Sequence, residues 1–251
     1  MPERVPLHWH LARWRREAPG PRGLLWIAAV TLLLMLPVER FGADLSWATQ
    51  ARILVNLGVA LAAIAIGRDA GRPDDAERWL LLQGQSPADW ALARWVANLL
   101  PLALLAVLWA AIVFTVTALT QEQPMPWSGV LGLALHLALT AMLLTLILLT
   151  LGCLGARQTA EGMMLLLILT FLLPLVADRL PAVVADGARL VLPPLDAIAT
   201  FRDAATDGAW RELLNAALRL ATWSGVLLAL ALTAANRRVP ARPSRVSVTS
   251  G

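Results

Sequence analysis

Long apolar runs alternate with short polar connections along the chain, and six apolar blocks stand out, at approximately 23 to 38, 46 to 67, 95 to 119, 127 to 152, 162 to 177 and 213 to 235. A helix of ~20 apolar residues crosses a hydrocarbon core of ~30 Å. The pattern therefore predicts an all-α integral membrane protein with six transmembrane helices. The first and fifth blocks are short and must borrow flanking residues, tilt little or thin the bilayer. The fifth carries Pro174 and is either a full span or a re-entrant segment. The first block ends at Pro37, Glu39 and Arg40 without a small-residue cleavage pattern, so it is expected to stay in the chain as a span.

The connections carry their own helix signals. Over residues 7 to 18, Leu7, Leu11, Trp14 and Ala18 fall at helical spacing, while His8, His10, Arg13, Arg15, Arg16 and Glu17 occupy the rest of the wheel. This predicts a basic amphipathic helix lying on the membrane surface, as a plain anchor or as a brace for a partner. The loop from 68 to 94 reads as two helices with a tight break. Pro73 suits a first helical turn, Asp74, Asp75 and Glu77 favour a helix N-terminus, and Asp74 stands at i, i+4 from Arg78. Trp79, Leu80, Leu81 and Leu82 then lead through Gln83 to Gly84, a natural stop. Ser86, Pro87, Ala88 and Asp89 form a capping box that starts a new helix running into the third block. The four bulky apolar residues from 79 to 82 cannot all be buried against one surface, so part of the run is expected to face a partner protein; the alternative is an interfacial helix packed under its own bundle. The connection from 178 to 212 holds short apolar helices broken at Pro193, Pro194 and Gly208.

Composition narrows the chemistry. All 21 basic residues are Arg, so the chain has neither the Lys of a Walker A loop nor a Schiff-base amine. One cysteine, Cys153, excludes an intramolecular disulfide and any Cys-based metal cluster, and His8 and His10 diverge on a helix. With no H-E-x-x-H and no G-x-S-x-G pattern, the chain is not expected to be an enzyme or to hold a cofactor of its own. The net charge of +4 comes from Arg clusters beside apolar blocks, which fits membrane topology rather than nucleic-acid binding.

Arg is retained on the cytoplasmic side during insertion. The segments before the first block, between the second and third, between the fourth and fifth, and after the sixth carry most of the Arg, which predicts cytoplasmic N- and C-termini and an external 178 to 212 connection. The chain divides into a cytoplasmic segment (1 to 22), a six-span domain (23 to 235) and a disordered cytoplasmic tail (236 to 251). Of 11 Trp, those at 26, 47, 95, 127 and 210 fall near block ends as interfacial anchors, whereas Trp109 and Trp223 lie deeper and are placed for packing between helices. Polar groups inside spans are functional candidates by default. Asn56, Asn98 and His136 are the candidate pathway residues, with interhelical hydrogen bonding as their plainer role; Arg219 is expected to snorkel, and Cys153 to serve as a small packing residue.

The acidic loop with Asp69 and Glu77, the run Leu80, Leu81, Leu82, then Pro87 and Arg94 at the next span resemble the membrane subunits of ABC-2-type exporters. Asp74 and Asp75 stand where Gly-Thr is usual in that family, and Gln83 where Pro often sits. The middle of the chain is similar to the haem-exporter B subunits of cytochrome c maturation, and Pro194, Leu195, Phe201 and Gly208 fit the short helices that precede the family's last span. The resemblance implies a permease subunit, with a second permease copy and a cytoplasmic ABC ATPase that supplies the ATP site. It also implies a cytoplasmic coupling helix between spans two and three, comprising Asp74, Glu77, Arg78, Trp79, Leu80, Leu81, Leu82 and Gln83, with Arg157 and Glu161 as a second contact. A non-transporting membrane scaffold that recruits a partner through the same loop is the alternative. An Arg-only, Ala/Leu-rich usage points to a bacterial cytoplasmic (inner) membrane, and nothing in the residues selects among lipid, haem, peptide or drug as cargo.

Overall fold

The computed structural model describes residues 47–67, 71–120, 127–155, 159–176 and 192–238, together with 26, 29, 181, 183, 184 and 187. The expected surface helix at 7 to 18, nearly all of the first block, Arg157 and the tail from 239 lie outside the described residues. Among those described, regular structure is helical throughout. Seven helices are bounded: α1 (Trp47–Gly67), α2 (Asp75–Leu82), α3 (Pro87–Thr120), α4 (Trp127–Leu154), α5 (Thr159–Val176), α6 (Leu195–Asp207) and α7 (Trp210–Arg238). Three of them, α3, α4 and α7, are long and apolar enough to cross a membrane. Within α1 and α5, Val55–Ile66 and Glu161–Thr170 are shorter apolar stretches.

The bundle is organised around α4, which packs against α1, α3, α5, α6 and α7. Its sequence explains this position. Every residue from 143 to 150 is buried, and a helix that is apolar on all sides belongs at the centre of a bundle. Its three buried threonines bring no unpaired hydroxyl into the core, since Thr140, Thr145 and Thr150 each donate to the carbonyl one turn back, on His136, Ala141 and Leu146. Two of them also tie neighbouring helices. The Trp95 indole donates to the Thr145 hydroxyl at 3.1 Å, and the single Thr150 hydroxyl hydrogen is shared between the Leu146 carbonyl and the Leu227 carbonyl, the latter at 3.1 Å. These bonds fix the register of α3 and α7 against α4.

One apolar cluster joins Val55, Val59 and Ala63 of α1 to Leu102, Leu105 and Trp109 of α3, and to Leu133, Leu137 and Leu144 of α4; Ile198 of α6 and Leu220 of α7 complete it. A second gathers one end of the bundle, where Leu81 of α2, Trp90 and Ala91 of α3, Leu146, Leu149 and Cys153 of α4, and Ala231, Ala234 and Ala235 of α7 meet. Since the C-terminal parts of α4 and α7 share this cluster, the two run parallel. Pro101 lies within α3, which continues as a helix through it.

Candidate functional site

The site is the elbow formed by α2 and the start of α3. α2 is only 8 residues long, too short to persist unaided, and it is pinned at both ends. Asp74 is the N-cap: its carboxylate accepts from the Glu77 amide at 2.7 Å, and Glu77 accepts from the Asp74 amide at 3.1 Å, a full capping box. At the other end Gly84 (φ +104°) adopts a left-handed conformation open to glycine. The Gly84 and Gln85 amides then donate back to the Leu81 and Leu80 carbonyls, closing a Schellman turn. The capping expected at 86 to 89 is present in the bond from the Asp89 amide to the Ser86 hydroxyl, 3.4 Å, with α3 beginning at Pro87.

Several local expectations are corrected. Pro73 precedes the N-cap instead of occupying the first turn, because Asp74 takes the capping position. Arg78 pairs with Asp75 at 3.6 Å rather than with Asp74, whose carboxylate is engaged by the Glu77 amide. That exposed Arg78–Asp75 pair adds little stability. Glu77, expected on the partner-facing surface, keeps 1% of its surface exposed and forms an ion pair with Arg94 on α3. Arg94 also lies over the Trp90 ring, 5.8 Å from its centroid, within the range of a cation–π contact. The apolar run divides by helical geometry. Leu81 points into the second cluster, while Trp79 and Leu82 remain 58% and 68% exposed and Leu80 is half-buried. Asp74 and Gln83 are at the helix ends, and Gln83 and Arg78 are exposed.

The segment before α2 is clamped too. Gly71 lies against the end of α4 so closely that a Cβ on Gly152 would sit 2.6 Å from the Gly71 Cα, a separation that real Cβ atoms do not adopt. Cys153, next in the chain, is 1% exposed, which agrees with a packing role. Glu161 is exposed in the first turn of α5, just beyond this end of α4.

The polar residues inside the bundle fall into separate places. His136 Nε2 and Asn56 Oδ1 are 3.0 Å apart, an interhelical hydrogen bond between α4 and α1. Asn98 is buried on α3, one turn above the Trp95–Thr145 bond; by helix rise its level on α4 is ~9 Å from His136. Arg219 pairs with Asp196 of α6 at 2.6 Å, a partner that snorkelling does not require. Trp109 is fully buried and Trp223 half-buried, and Trp26, Trp127 and Trp210 are exposed, whereas Trp95, expected as an interfacial anchor, is half-buried and turned inward to Thr145 of α4. A bond of the His136–Asn56 kind contributes about 0.6 kcal/mol within a membrane, and up to ~1.7. A double-mutant cycle with His136→Leu and Asn56→Leu should return a coupling energy in that range; additive effects would dissolve the pair.

Among the described residues no three of His, Cys, Asp and Glu gather as a metal site. Sequence reasoning missed Arg94 as the partner of Glu77, the Gly71–Gly152 contact and Asp196 as the partner of Arg219; none of these has a local signal, being 17, 81 and 23 residues apart in the chain. Comparison with family models, curated proteins and solved structures finds no match.

Proposed function

We propose that the protein is the permease subunit of an ATP-driven exporter of the ABC-2 type, with six spans, both termini cytoplasmic and a separate cytoplasmic ATPase docking on the outer face of α2. One observation carries this reading: a short helix is fixed on its inner side by Leu81 and the Glu77–Arg94 pair while Trp79 and Leu82 project from its outer side. A solvated surface helix gains nothing from leaving a Trp and a Leu bare one turn apart. A helix that receives force does, because an aromatic and an aliphatic anchor on one ridge are what a partner's pocket engages. Rigid attachment of the other side then passes motion into α3. A second permease copy completes the pathway, and a bacterial inner membrane is the setting that the Arg-only usage favours.

The outer face gives the test. Trp79→Glu with Leu82→Glu places charges in the contact while leaving Leu81, Glu77 and Arg94 in place. Loss of a buried aromatic anchor weakens an interface by about 2–4 kcal/mol, roughly 30- to 1000-fold. Copurification of a P-loop ATPase from native membranes in mild detergent should therefore disappear in this variant. Retention of the ATPase would sink the docking assignment. A stable complex of other proteins with no ATPase would support the scaffold in its place.

A further inference from the structure

The charged pair Asp196–Arg219 lies far from the elbow, and its depth follows from the register of the helices. The Thr150–Leu227 bond sets α4 level with α7, and the two run parallel, so Arg219, eight residues before Leu227, stands level with Met142, eight before Thr150. Met142 is about 22 Å from the start of α4 and about 18 Å from its end. The pair is therefore near the middle of the bundle's central helix. The exposed side chains of Leu131 and Leu135 on α4 indicate that acyl chains reach further out than this level.

α6 reaches that depth from the far side. It is joined to α7 through Gly208 and Ala209, and its first turn meets Arg219, so α6 and α7 form an antiparallel hairpin. Its inner face is apolar: Ile198 is fully buried and belongs to the same cluster as Val130, Leu133 and Leu137 of α4. Its outer face is not. Asp196, Thr200 and Asp203 are exposed at i, i+4 and i+7, and on α7 the exposed Arg211 and Asn215 lead at i, i+4 and i+8 to Arg219. The Asp196 and Arg219 side chains keep 68% and 40% of their surface open. At the break before α6, Pro193 and Pro194 are both buried and carry no amide hydrogen to leave unsatisfied.

Polar side chains and a broken helix at bilayer depth are tolerated where they are buried in protein or line water, and not against acyl chains. These side chains are open. We infer that the α6–α7 hairpin walls a water-filled vestibule, open on the membrane face opposite α2 and reaching to near mid-bilayer, with the Asp196–Arg219 pair at its floor. The polar ladder from Asp203 and Arg211 down to that pair is its wetted side, and Leu214 and Leu218, also exposed on α7, form its lipid-facing shoulder. This inference needs α4 and α7 to cross the bilayer; it does not rest on ATPase docking.

Cysteine accessibility tests it in the full chain in intact membranes. In a Cys153→Ala background, single variants Thr200→Cys and Asn215→Cys are compared with Leu131→Cys and Leu218→Cys, using a charged, membrane-impermeant thiol reagent. Thiolate is the reactive form, and it is populated in water but not in hydrocarbon. Positions 200 and 215 should react about tenfold faster or more than 131 and 218, and from the face opposite α2. Slow reaction at all four, with full reaction after detergent solubilisation, would overturn the vestibule by placing the hairpin against lipid. Fast reaction at all four would overturn it by placing the hairpin outside the bilayer, and reaction solely from the α2 face would overturn its orientation. The detergent-treated sample also confirms that each variant is present, so failure here is separate from failure of ATPase copurification.

Discussion

Replacing Arg94 by Met should destabilise the folded protein by about 3–5 kcal/mol, the usual penalty for stripping one partner from a buried ion pair and leaving the other charge stranded. The charge left behind is that of Glu77, which is 1% exposed and also accepts from the Asp74 amide at the α2 N-terminus. Glu77→Leu should be comparably severe, since it takes the carboxylate away from Arg94, which is 15% exposed at the side chain, and removes half of a capping box. The double variant Glu77→Leu, Arg94→Met removes both charges together. Its loss should be far smaller than the sum of the single losses, because a buried pair replaced by apolar groups of similar volume is often near neutral. Thermal unfolding of the four proteins in detergent, followed by Trp fluorescence, gives the cycle. Additive losses would mean that the two side chains act independently, and the clasp would then be no clasp. The double variant has a further use in testing the proposed docking: a stable double variant that loses the copurifying ATPase would show that the pair positions α2 as well as holding it.

Gly152→Ala should release the segment leading into α2. In most helices Ala in place of Gly is a gain of up to about 1 kcal/mol. Here the added Cβ would meet the Gly71 backbone at 2.6 Å, and backbone on both sides leaves no side chain to move aside. Overpacking of that kind costs about 1–3 kcal/mol, which outweighs the propensity gain. The loop pays by lifting away from α4. Amide exchange at Arg72 and Asp74 should therefore accelerate by roughly 5- to 150-fold relative to the unaltered protein. Gly162→Ala is the matched control, since a Cβ there would meet just one atom, Leu151 Cδ1, at an ordinary 3.7 Å. Unchanged exchange in Gly152→Ala would show that the close approach is not what holds the loop.

These two predictions concern contacts that the sequence does not display, and the reason is physical. Turn and cap chemistry is local, so Asp74, Gly84, Ser86-Pro87, Pro193-Pro194 and Gly208 mark their boundaries wherever they occur, and the helices begin and end where those residues require. The third, fourth and sixth apolar blocks are equally legible and appear as α3, α4 and α7, because crossing a bilayer demands length. Facing is not legible in a helix like α4, whose apolar surface extends all the way round and so records no direction. The same holds for the run from 79 to 82. It announces that something apolar must be covered, yet the assignment of Leu81 inward and of Trp79 and Leu82 outward depends on where α2 is pinned, and that is decided by Glu77 and by an arginine 17 residues away. An acid near a helix N-terminus has a sufficient local explanation, and this is why Glu77 reads only as one of three acids favouring the start of α2 until its partner is seen. The Asp196–Arg219 pair was hidden for a related reason, since an Arg near the end of an apolar run has a self-sufficient account in snorkelling.

Pro101 gives α3 a property beyond length. Proline donates no amide hydrogen, so the carbonyl of Ala97, four residues earlier, lacks its helical bond, and the rod is weakest in bending at that point. Arg94, where the elbow grips α3, is about 10 Å below Pro101 along the axis, while Leu102, Leu105 and Trp109 above it are locked into the main cluster. Both halves of α3 are held, the lower by Trp90, Ala91 and the Trp95–Thr145 bond and the upper by the main cluster, so the missing bond at Ala97 lies between two clamped segments, and bending of this helix is confined to that one turn.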